Sequence, residues 1–196
     1  MKITFWSVGK NNETYAKEGV EDFTRRISRY FKTEWIIIPM PKNSGILPEM
    51  ELKKKEGEAI MQLLTKDDYL VALEERGKQL SSEGLAEFIQ ARANESTKKI
   101  IFLIGGAYGI DEQVLKRANF KWSLSQLVFP HQLVRLILSE QVYRACTILK
   151  NENHSQTYAY IQGLLLGVYF DDYTQWVDHI RVGGKTCPKF TVHHHT

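Results

Sequence analysis

IFLIGGAYGI, residues 101–110, runs four apolar residues straight into Gly105-Gly106, with Gly109 three positions on. A strand buried on both faces reads as a near-continuous apolar run. The glycines that stop it allow a sharp turn or a close approach of backbone to something else. A phosphate-binding loop is the first thing to test. A dinucleotide fingerprint stands after the first strand, whereas here the first strand ends in VGK (8–10). A Walker loop needs GxxxxGK[ST], which the chain lacks. Two readings of the glycines stay open: a tight strand-to-helix turn, or backbone groups aligned along the polar edge of a nucleoside.

Outward from this stretch, strands and helices alternate. Strands are expected at 2–8, 34–40, 68–78 (running into a polar turn) and 98–106, with a short strand or extended loop at 122–130. Helices are expected at 13–30, 50–64, 81–94, 111–119 and 131–151, the first with acids early and bases late, the third capped by Ser82. Alternation of this kind implies parallel pairing, hence an α/β fold with helices on both faces of the sheet. The connection SLSQLVFPHQ (123–132) alternates small polar and apolar residues and stops on Pro130-His131. Its Leu124, Leu127 and Phe129 suit an apolar slot, with backbone groups left to meet a ligand's polar edges.

The 196 residues, 43% apolar, suffice for one domain with an appendage. A net charge of +3 permits a polyanionic partner without requiring one. Cys146 and Cys187 share no ligand spacing, so no metal is expected. Neither a signal peptide nor an apolar run of membrane-spanning length is legible, so a cytoplasmic protein with no membrane association is expected. Residues 155–196 differ in character, with weaker periodicity and a HHHT ending. They read as an atypical C-terminal extension to a domain spanning 1–154, non-native or disordered in part.

LIGGAYGI, SLSQLVFPHQLVRLILSEQVYRA, ALEERGK and the VGK start, in this order and spacing, resemble the RlmH family. These are SPOUT-class methyltransferases that use S-adenosylmethionine to methylate N3 of a pseudouridine in large-subunit (23S) ribosomal RNA. The resemblance covers residues 1 to about 153. It implies a C-terminal trefoil knot, an exception to unknotted connections, and a homodimer whose sites are completed across the interface, acting on 23S rRNA in the assembled ribosome. It implies cofactor contacts at Leu73, Gly105, Leu124, Ser125, Gln126, Leu127, Val128 and Phe129. The glycines would then serve a methyl donor rather than a phosphate.

Methylation at N3 requires the imino proton to leave, and His131, beside the cofactor loop, is the candidate base. A structural hydrogen bond is the alternative role. Arg135 and Arg144 are candidates for the catalytic face toward RNA, or for ion pairing with acids such as Glu140. Nine residues apart, the two cannot share one face of a helix. Tyr143 suits the core or a dimer contact, and Lys10 either solvent or phosphate. The basic runs 25–32 and 53–55 read as solvated helix faces that would at most widen an RNA footprint. The family's short Tyr-His-His-like ending is absent, with only His154 nearby. That departure leaves an alternative: a non-catalytic RNA- or ribosome-binding dimer of the same fold. A generic nucleotide-binding α/β protein is a third reading, opposed by the missing glycine fingerprint.

Overall fold

The computed structural model describes residues 1–10 and 14–152, and Met1–Glu152 form one compact unit. The 154/155 boundary, the extension, His154 and Cys187 lie outside the described residues. Five strands alternate with five helices among those described: β1 (Lys2–Val8), α1 (Thr14–Ile27), β2 (Lys32–Ile38), α2 (Glu49–Leu63), β3 (Tyr69–Gln79), α3 (Ser82–Asn94), β4 (Lys99–Ile104), α4 (Glu112–Arg117), β5 (Phe120–Ser123) and α5 (His131–Leu149). The sheet order is β2-β1-β4-β3-β5, and every neighbouring pair is parallel. The expected α/β layering is therefore present.

The central strands β1 and β4 alternate between two cores, as the two-residue strand period requires. Ile3, Phe5, Ile100, Phe102 and Ile104 face one core, with Ile27, Leu85, Ile89, Leu138 and Val142 from α1, α3 and α5. Trp6, Val8, Ile101 and Leu103 face the other, with Ile60 of α2 and Val114 of α4. Each such large apolar side chain contributes about 1.5–3 kcal/mol on burial. Helix α1 shows why the pattern folds this way: Ala16, Val20, Phe23 and Ile27 are buried at helical spacing.

Local details depart from the sequence reading. The cap of α3 is Ser81, whose side chain accepts from the Gly84 N–H, and Ser82 is already helical. Either serine suits a cap, and one residue of phase decides. The first turn of α1 holds no acid; its bases do gather in the last turn. The polar end of β3 is strand rather than turn. After a register shift between Leu73 and Lys78 it pairs again with β5, through Lys78–Trp122 and Gln79–Ser123. Gly77 permits this, because a Cβ there would lie 2.8 Å from the Lys121 carbonyl and from the Trp122 backbone.

Candidate active site

The carboxyl ends of parallel strands are where open α/β sheets place their ligands. Here the ends of β3 and β4 open onto a cavity of about 700 Å³, within the usual size of small-molecule sites. One wall is the irregular segment of β3, Leu73 to Arg76. The second is the glycine loop, Gly105 to Ile110. The third is the loop after β5, with Leu124, Ser125, Leu127, Val128 and Phe129, running into His131 and Val134 of α5. Three stretches spread between Leu73 and Val134 thus converge through the strand order.

Of the expected cofactor contacts, Leu73, Gly105, Leu124, Ser125, Leu127, Val128 and Phe129 line this cavity, whereas Gln126 does not and is exposed. The loop is braced by its own polar groups: the Ser123 hydroxyl donates to the Ser125 carbonyl at 2.9 Å, and the Leu127 N–H donates to Ser125 Oγ at 2.9 Å. Leu127 and Val128 nevertheless stay 70% and 87% exposed, so much of their apolar surface is not enclosed by the cavity.

The glycine loop is explained from within. A Cβ on Gly105 would fall 2.6 Å from Ile110 Cγ1 and 3.0 Å from the Gly109 backbone. One on Gly106 would fall on the Glu56 carboxylate, within 2.6 Å of both oxygens. Gly109, at φ +86°, donates back to the Gly106 carbonyl at 3.0 Å. The loop therefore folds tightly on itself, as the turn reading holds, and still presents its backbone to the cavity.

His131 lines the cavity as the first residue of α5. Burial, reinforced by the Arg135 charge, pushes its imidazole below the ordinary histidine range. The positive end of the helix acts in the same sense. The ring is thus held in the neutral form that a base needs.

Arg135 and Arg144 are not brought to the cavity. Arg135 is 1% exposed and reaches the end of β1, donating from Nε to Ser7 Oγ and from Nη1 to the Lys10 carbonyl, both at 2.9 Å. Arg144 is buried against Glu140, with Nε at 2.9 Å from Oε1. Tyr143 packs on Phe23 and Tyr30, and Lys10 is exposed. Lys53 of the 53–55 run corrects the solvated-face reading: it is half-buried and lines the cavity with Glu49. The ALEERGK stretch brings Glu74, Glu75 and Arg76 to the walls beside the glycine loop, and Tyr108 and Glu112 join them, though none of the five was singled out as a site residue. Their signal was position alone, next to a strand end or glycine turn. No described helix is long and apolar enough to cross a membrane.

The chain matches the family described as predicted SPOUT methyltransferase over residues 1–154. It is 43% identical over 154 residues to the ribosomal RNA large subunit methyltransferase H of Cytophaga hutchinsonii, covering 79% of this chain and 99% of that one. The protein of the same name from Christiangramia forsetii is 45% identical over 152 residues, covering 78% and 97%. That from Alkaliphilus oremlandii is 44% identical over 155 residues, covering 78% and 98%.

Proposed function

The chain belongs to the SPOUT methyltransferase family, and from that premise we propose that it methylates N3 of a pseudouridine in large-subunit (23S) ribosomal RNA, with S-adenosylmethionine as donor. The observation that carries the reading is the cavity: a closed glycine turn and the braced 124–129 loop meet beside a half-buried histidine. The cavity's make-up suits such a donor. Leu73, Ile104, Trp122, Leu124 and Phe129 offer apolar walls for an adenine, and two loop backbones offer polar groups to its edges.

The donor supplies, when bound, a methyl carbon activated on a cationic sulfur and leaves as a neutral thioether. The work of the chain is to align that carbon with the attacking nitrogen and to take up the N3 proton. Positioning accounts for much of the rate. His131, held neutral, accepts the proton and becomes an imidazolium. Arg135 serves as a positioning residue, tying α5 to the turn after β1. Arg144 would meet an RNA phosphate only by giving up Glu140. The homodimer, the trefoil knot, the assembled ribosome as substrate and a cytoplasmic site of action belong to the same proposal. The exposed Leu127 and Val128 give a second subunit apolar surface to cover.

The test is transfer of a labelled methyl group from S-adenosylmethionine to ribosomes lacking the modification. The full chain should label large-subunit RNA at a pseudouridine, and H131A should lower turnover while leaving donor affinity nearly intact. Donor binding without transfer would favour the non-catalytic RNA-binding reading. Absence of donor binding would refute the assignment of the cavity.

A further inference from the structure

Helix α2 carries Leu52, Glu56 and Ile60 along one buried stripe. A carboxylate between two apolar residues on a core-facing stripe is anomalous, because an ionised group loses hydration there. Glu56 is 4% exposed, and among the described residues no hydrogen bond or ion pair reaches it. Its carboxyl fills the space over Gly106 that a Cβ would take. Gly57 brings the same helix against Asp111, at the end of the same loop. The carboxyl is thus held against Gly106, a residue of the Gly105–Ile110 wall of the cavity.

The cavity itself has an unexpected sign for a chain of net charge +3. Glu49, Glu74, Glu75 and Glu112 on its walls outnumber Lys53 and Arg76. Glu75 lies near Arg76, 3.8 Å away, which leaves the remainder acidic. A site built for an anion would show the reverse balance.

We propose that Glu56 is a specificity-determining residue of the donor site: its buried carboxylate favours the cationic sulfonium donor over the neutral thioether product. The proposal rests on the donor reading above. The two ligands share their adenosine and amino-acid parts and differ at sulfur by one methyl group and one unit of charge. An uncompensated carboxylate behind the wall distinguishes them by charge, because a low-dielectric interior screens it little. Once the methyl group has left, the attraction is gone and the product is released more readily. Burial pushes Glu56 above the ordinary carboxylate range, and a bound cation draws it back toward ionisation.

Calorimetry of the full chain with S-adenosylmethionine and with S-adenosylhomocysteine, in mildly alkaline buffer, tests this for wild type and E56Q. Wild type should bind the donor more tightly than the product. E56Q, which keeps the shape and removes the charge, should lower the donor-to-product affinity ratio roughly fivefold or more, with product affinity little changed. An unchanged ratio in folded E56Q would overturn the proposal. A wild-type ratio of one or below would overturn it without any variant. Failure of wild type to bind either ligand would instead strike at the donor reading itself.

Discussion

Replacing Gly105 by alanine inserts one methyl group into a space already filled. The new Cβ would stand 2.6 Å from Ile110 Cγ1, at least 0.4 Å inside the 3.0 Å that real Cβ atoms essentially never breach, and 3.0 Å from the Gly109 carbonyl group. Ile110 cannot swing clear, since it is 4% exposed and packed in the α2/α4 core. The loop must therefore move or the core must expand. Overpacking of this kind costs about 1–3 kcal/mol. Urea denaturation of G105A should show that loss, and calorimetry should show weaker binding of both donor and product, because the displaced segment is a cavity wall. A double mutant isolates the cause. I110A alone leaves a void and costs about 2–5 kcal/mol. G105A/I110A should cost less than the sum of the single changes by about 1 kcal/mol, since the added methyl group then has room. Additivity, or G105A with unchanged stability and affinity, would refute the packing account of the glycine.

The Cβ of G77A would press on β5 backbone at 2.8 Å, which has no rotamer to offer. It should lose about 2–3 kcal/mol by urea denaturation, and an unshifted midpoint would contradict the strand contact. For His131, burial lowers the folded imidazole below its unfolded value. The unfolded chain therefore binds more protons between the two values, and the His131 contribution to stability is lost as pH falls through the folded one. The acid limb of kcat/KM should lie below the ordinary histidine value of about 6.5; a limb at or above it, or one that survives in H131A, would remove His131 as the base. Arg135→Lys should cost about 2–3 kcal/mol in thermal or urea unfolding, because one ammonium cannot span Ser7 and the Lys10 carbonyl together. Loss of turnover with stability intact would assign Arg135 to the chemistry instead.

The sequence by itself determined the elements and the class of the fold. KITFWSV and KIIFLI are mostly apolar, and buried after their first lysine, because both faces of a central parallel strand are covered. Ala16, Val20, Phe23 and Ile27 announce a helix face by spacing alone. The motifs around Gly105 and Leu124–Phe129 were legible as well, and they mark two walls of the cavity. Tertiary structure decided what those residues touch. Glu56 lies 50 positions from Gly106 in the chain and looks like one more charge on a lysine-rich helix, until α2 docks on the glycine loop. Arg135 and Arg144 looked alike as basic residues on one helix. Packing directs the first to the end of β1 and seals the second against Glu140. The physical reason is range. Periodicity and capping are local and are written in neighbouring residues. A buried charge's partner, or its lack of one, is set by which distant segment the strand order brings alongside.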